Sequence, residues 1–263
     1  MCVSHALTRD ERKTLHPSDR VCNINDMNAP ELILTKEKRR AVCVHEAGHA
    51  VIFALGGAFV HRLAVAPEGN DGTWTIEGRK GGTLTDLWGV CQPSDFWEMQ
   101  MRLTWDESEL TWKADRKGFD ASMRQMQAQL AESRSPYARR YIAETRRIVR
   151  AHVCGCIAGP AAEQIYNGEE VWLDEPDYFA DRGEDLVLAQ ARSWLLPYRN
   201  EYGHACQITE AALRRPDIWG RVIRLADELE RCGDMDDELD GLLPDPLPGW
   251  PSSPGSRAHR KPT

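Results

Sequence analysis

Residues 36–55 hold the most apolar stretch of the chain. Val42, Val44, Ala47, Ala50, Val51, Ile52 and Phe53 crowd every side of it, and a helix apolar on nearly all sides is a buried one. Thr35 can cap its start and Gly56-Gly57 can end it. The period then shortens to two. Val60, Arg62, Ala64 and Ala66 alternate with His61, Leu63 and Val65, which predicts a strand stopped by Pro67. A turn over 68–72 leads to a partner strand over 73–76.

From 78 to 134 the pattern is polar, with Trp88, Trp97, Trp105 and Trp112 spread through it. Ser94 can cap a helix from 95, and 115–132 is rich in helix formers. Ser135-Pro136 opens a helix over 137–157, with Ile142, Val149, Val153 and Cys156 facing inward. Gly159-Pro160 interrupts it, and a short helix over 161–166 ends at Gly168. After an acidic loop, Asp181 and Glu184 form a capping box for a helix that Pro197 stops. Ile218, Val222, Leu225 and Leu229 mark a helix over 217–231, and one or two turns follow within 236–243. The expected fold is mainly α with a small β-sheet. It spans 35–243, with an insertion at 81–136, an irregular arm over 1–34 and a disordered Pro-rich tail over 244–263.

A chain of 263 residues, 41 % hydrophobic and 28 % charged, can bury one proper core. Its net charge of −8 argues against a nucleic-acid binder that works through phosphates. No stretch approaches the ~20 apolar residues of a membrane span, and the first residues lack an apolar signal core. The expectation is a soluble, cytoplasmic protein. The eight cysteines include no C-x-x-C pair. Cys154 and Cys156 read as small buried helix residues, or else as ligands for a soft metal.

His45-Glu46-Ala47-Gly48-His49 is an H-E-x-x-H motif on the predicted buried helix. Histidines four apart share one helix face, so two neutral imidazoles can reach a single Zn²⁺. Glu46 stands outside that pair as a base for water attacking a carbonyl. Two satisfied core histidines are the plain alternative, but a charged Glu46 in a buried helix needs a partner or a metal. His61 reads as a strand-surface residue. The tryptophans read as anchors for the insertion, or as a substrate platform.

Three separated blocks resemble one family, the M41 peptidases, the proteolytic domain of FtsH-type proteases. His45 to Ala50 resembles their zinc motif, followed by a strand, Pro67 and the Gly72-Thr73-Trp74 turn. Ala158-Gly159-Pro160-Ala161-Ala162-Glu163-Gln164-Ile165 is similar to their G-R-A-A-E-E segment. Glu184-Asp185-Leu186 with Ala189 resembles their N-D-L-x-x-A-T segment. The resemblance implies Asp185 as third zinc ligand beside His45 and His49. Read from the residues alone, Asp177, Asp181, Glu184 and His204 compete for that role. Glu163 is either a carboxylate that orients a zinc histidine or a helix-surface residue.

The implied activity is zinc-dependent endopeptidase cleavage of unfolded or flexible polypeptides, with Glu46 as catalytic base. The peptide could pair in extended form with a strand edge near 73–76. The alternative is a catalytically idle interaction module of the same fold. Pro160 replaces the family's usual Arg, and Gln190 its usual Thr. The ATPase domain and membrane helices of FtsH-type proteases have no counterpart here, and there is no P-loop. A separate ATPase or adaptor is therefore a candidate partner, and the oligomeric state stays open.

Overall fold

The computed structural model describes residues 33–77, 82–173 and 183–254, and the backbone of 2–5. In chain order the elements are β1 Cys2–His5, α1 Lys36–Leu55, β2 Val60–Val65, β3 Trp74–Glu77, β4 Thr83–Pro93, α2 Trp97–Gln100, β5 Leu103–Asp106 and β6 Thr111–Ala114. Then come α3 Arg116–Glu132, α4 Tyr141–Tyr166, α5 Gly183–Ser193, α6 Glu201–Leu213, α7 Pro216–Cys232 and β7 Asp234–Met235. The architecture is mainly helical with a small antiparallel sheet, as the pattern predicts.

Helix α1 is buried without a break from Cys43 to Leu55 and packs against α4, α7, β2 and β4. Thr35 caps it by accepting from the Lys38 N–H at 3.3 Å. Gly57, at φ +84°, turns the chain in a backbone region that side chains resist. The α1–α4 contact is close enough for backbones to touch. A Cβ on Gly48 would lie 2.6 Å from the Ala162 Cβ and 2.8 Å from the Ala158 carbonyl oxygen. Ala151, Gly155 and Gly159 recur every four residues along the facing side of α4.

The main sheet runs β1-β4-β2-β7, with β3 also paired to β4. Leu63, Val65 and Cys91 face the helical core, and Ala64, Ile76, Leu84, Leu87 and Val90 form a separate buried cluster. Beyond the sheet, β5 and β6 form a hairpin whose Trp105 and Trp112 rings meet edge to face at 5.5 Å. Trp112 packs against the core, as an anchoring role requires, while Trp97 is exposed. Asp115 caps α3 through the Gly118 N–H at 2.9 Å. Arg150 of α4 and Glu201 of α6 form a buried two-pronged ion pair at 2.7 and 2.8 Å. Among the described residues no helix is long and apolar enough to cross a membrane.

Several sequence expectations are corrected. The strand at 74–77 pairs with β4 and not with β2. Residues 83–93, expected within an insertion, are the central strand of the main sheet. A register shift opposite Trp74 and Ile76 sets Leu84 and Leu87 three apart on one face, which hides the period of two. A second shift between Val60 and Arg62 turns Val60 into the main core, away from Ala64.

Helix α4 runs through Pro160 unbroken. Packing of its buried face on α1 outweighs the hydrogen bond the proline removes, a cost of about 3 kcal/mol. The helix expected at 95 is a single turn, α2, and Phe96, not Ser94, stands at its cap position. Helix α6 lies where the pattern marked no element. The arm is not irregular throughout: Cys2–His5 pairs with β4, and Leu34 is fully buried. Nor is the tail disordered over 244–254. The Leu247 N–H bonds to the Leu55 carbonyl at 2.9 Å, and Trp250 packs on the core. Residues 6–32 and 255–263 lie outside the described residues.

Two stability predictions follow from this packing. Gly48→Ala should cost about 1–3 kcal/mol, because the added methyl meets backbone. Gly220→Ala, at an exposed position of α7 with nothing within 4 Å of the new Cβ, should gain about 0.5–1 kcal/mol. Urea denaturation of both variants checks the pair, and a neutral Gly48→Ala would refute the tight seam. The second concerns His152, buried against Phe53 and Phe96. Burial, then the Arg192 charge, holds its pKa well below the ordinary value. The unfolded chain therefore binds a proton that the folded one refuses, and stability falls as pH drops below about 6.5, by up to about 1.36 kcal/mol per unit. Denaturation curves for His152→Phe from pH 7.5 to 5 should show a slope shallower by one proton.

Candidate metal centre

Three helices meet at one point. His45 and His49, one turn apart on α1, direct Nε2 atoms that lie 3.0 Å from each other. Asp185, in the first turn of α5, places Oδ2 3.2 Å from both. Among the described residues these three form the group whose donor atoms can hold a metal ion. All three are buried, at 7 %, 1 % and 6 % exposure.

The outer ring nitrogens fix the tautomers. His49 Nδ1 lies 2.7 Å from the Gly155 carbonyl oxygen, which can only accept, so Nδ1 carries the proton and Nε2 is bare. The Gly159 N–H, at 3.2 Å from the same nitrogen, is the weaker contact. His45 Nδ1 lies 3.0 Å from Oε2 of Glu163 on α4, and a carboxylate oxygen likewise accepts from the ring N–H there. With both rings neutral, two bare imidazole nitrogens and a carboxylate oxygen face one another. Tetrahedral ligands at 2.0–2.1 Å from an ion stand about 3.3 Å apart, close to this spacing.

The electrostatics point the same way. Burial alone would keep His45 neutral, yet its hydrogen bonds to Asp185 and Glu163 push its pKa up to about 10. His49 is raised against burial by the charge of Asp185. Asp185 overcomes burial through His49 and His45 and is held well below the usual carboxylate range. The site draws in positive charge. Two protons fill it poorly, because Nε2–H groups facing each other at 3.0 Å repel. One divalent cation satisfies all three donors together.

Glu46 stands beside this group. It is 1 % exposed, and neither carboxylate oxygen has a hydrogen-bond partner. Burial pushes its pKa up to about 7, against the pull of His45 and His49. Buried carboxylates are otherwise paired. An orphaned one next to a cation site has the chemistry of a proton acceptor. Two glycines make the room. A Cβ on Gly89 of β4 would lie 2.6 Å from Oε1 of Glu46, and one on Gly159 would lie 2.2 Å from Nε2 of His49.

The structure thus brings together His45, His49, Asp185, Glu46 and Glu163. It leaves out the rivals that it describes. Glu184 is on α5 outside the donor group. His204 Nε2 is 3.0 Å from the Ser252 carbonyl oxygen, and His61 stacks edge to face on Phe59 at 4.6 Å. Cys154 and Cys156 are buried in α4. Asp177 and Asp181 lie outside the described residues. Sequence reasoning missed Gly155, whose carbonyl orients His49, and Gly89. The four-residue spacing of Ala151, Gly155 and Gly159 was the available signal for the first. No protein-family model matches the chain, and a search of curated proteins finds no match either.

Gently purified protein should hold one divalent ion per chain by elemental analysis, and a chelator should lower its melting temperature. Asp185→Ala should abolish binding, while Glu184→Ala should leave it intact. Glu163→Gln should weaken affinity about 10–100-fold. A wild type whose melting temperature is the same with and without the ion, as that of Asp185→Ala should be, would refute the centre.

Proposed function

We propose that this chain is a zinc metallopeptidase of M41 type, acting on peptide bonds of unfolded or flexible polypeptides. The observation that carries the reading is Glu46: a buried, unpaired carboxylate beside a three-donor cation site. A binding module has no use for a base there, and an orphaned buried charge only costs it stability. His45, His49 and Asp185 would hold the zinc, which supplies Lewis-acid activation of water and carbonyl. Glu46 takes the proton of the attacking water and passes it to the leaving amine. Burial holds its pKa above the usual carboxylate range, the direction that favours a proton acceptor. Glu163 and the Gly155 carbonyl hold the two rings with their Nε2 atoms inward.

Strand β3 pairs with β4 alone among the described residues, which supports an extended peptide adding to its edge. The sequence carries no P-loop. Cleavage by the pure protein should accordingly be indifferent to ATP and favour peptides and unfolded chains over folded ones.

The deciding experiment is casein digestion by wild type and Glu46→Gln at equal, measured zinc content. The variant should keep fold and zinc and lose activity about 10²–10⁴-fold. If both cleave equally, the mechanism is wrong. If neither cleaves any member of a broad peptide library while both capture one partner, the interaction-module reading replaces it.

A further inference from the structure

The two edges of β4 are held differently. Along one edge Gly89, Val90 and Cys91 pair with Val65, Ala64 and Leu63 of β2. Leu87 pairs with Trp74 of β3 and also with His5 of β1. A strand residue has one neighbour on each edge, so β3 and β1 flank β4 on opposite sides. On the side of β1, Cys2, Val3 and Ser4 stand opposite Cys91, Val90 and Gly89.

Gly89 is where this strand meets Glu46. A Cβ there would lie 2.6 Å from Oε1 and 2.7 Å from Cγ of Glu46, so the carboxylate packs directly on strand backbone. Paired residues of antiparallel strands hold their Cα atoms about 4.5–5.5 Å apart. The backbone at Ser4 is therefore one strand spacing from the place where Glu46 touches β4. Without β1 this edge would offer unpaired N–H and C=O groups beside the carboxylate, the template on which an extended polypeptide adds. It is a different edge from the outer side of β3, which lies across β4 from β1.

Strand β1 already takes that position, extended and antiparallel. It is four residues long and has β4 as its one strand partner among the described residues. A register shift between Ser4 and His5 interrupts its ladder. We propose that Cys2–His5 is a resident, displaceable strand that occupies the polypeptide site on β4 and holds it closed. As part of the same chain it competes as an intramolecular ligand. An incoming strand then binds with an affinity reduced by the fraction of molecules in which β1 is undocked. The occupancy stands on the strand pairing, and its consequence, autoinhibition of cleavage, rests on the peptidase reading above.

The test uses the full chain carrying Glu46→Gln, so that binding is read without cleavage. The probe is a fluorescein-labelled Ser-Val-Ser-His-Ala-Leu peptide, the sequence of residues 2–7 with serine in place of Cys2. Val3→Pro with Ser4→Pro removes strand N–H groups from β1 and leaves β4 as it is. By fluorescence anisotropy the proline variant should bind the peptide at least about tenfold tighter than the parent. By hydrogen exchange, amides within 87–91 should lose protection in the variant and regain it with peptide bound. Equal affinity in the two proteins, both folded by circular dichroism, overturns the proposal. So does exchange in the parent that is as slow throughout 87–91 as in α1, a measurement that needs no strand variant. Restoring Glu46 then separates the two readings. The proline variant should digest casein about tenfold faster than wild type at equal zinc content, and equal rates overturn the autoinhibition. If the peptide binds as expected and neither protein cleaves, the resident strand stands and the peptidase reading falls.

Discussion

The nearness of α4 to α1 governs the site. Where Gly48 meets Ala158 and Ala162, and where Gly159 meets His49, there is no side chain to hold the helices apart. Interaxial distance is set by the side chains at a contact, so small residues at these positions draw the backbones together. That closeness lets the Gly155 carbonyl reach His49 and lets Glu163 reach His45. Both histidines are thus oriented from the neighbouring helix, not from their own. A wider seam would keep H-E-x-x-H on the helix and lose the tautomers that aim it.

The second constraint is charge. Asp185 brings a carboxylate into a buried site already shared by Glu46 and bordered by Glu163. Burial penalises the charges of Asp185 and Glu46, and the rings offset that penalty through their charge and their hydrogen bonds. The two carboxylates divide accordingly. Asp185, hydrogen-bonded to both rings, remains ionised, and Glu46, hydrogen-bonded to neither, is pushed toward neutrality by burial. One sequence neighbourhood and one distant helix turn therefore yield two carboxylates of opposite character by environment alone. The same logic explains why the site favours a cation over protons, since only a cation can touch all three donors at once.

Much of this was legible in the residues, and the rest was hidden for identifiable reasons. Helix α1 could be read with both ends, because the cap Thr35, the stop Gly56-Gly57 and an apolar run all agree. Helix α7 could be read because Ile218, Val222, Leu225 and Leu229 repeat on a single face. Helix α6 shows no such face. Its burial falls on Ala205, Cys206, Thr209 and Ala212 as much as on large apolar residues, and its Glu201 is buried only because Arg150 meets it. Strand β4 was masked by its register shift, and α4 by a proline whose local cost tertiary packing absorbs. Asp185 could not be chosen as a candidate ligand from its own surroundings, since an acid in a first helical turn is ordinary. Only the family resemblance singled it out among its rivals, and the geometry places it 3.2 Å from both rings.

That convergence weighs more than the motif. H-E-x-x-H can arise by chance on any buried helix, and a helix holds its i and i+4 side chains together whatever the rest of the fold does. Asp185 is 136 residues away from His49 along the chain, and Glu163 is 118 from His45. Neither proximity is local, and each comes from a different helix. Pro160 fits the same frame. It is buried in the α4 segment between Gly159 and Glu163, where an arginine would carry a charge in need of its own partner. Proline gives up one backbone bond there and adds no charge. The departure from the family pattern therefore adds no charge to the balance set by Glu46, Glu163 and Asp185.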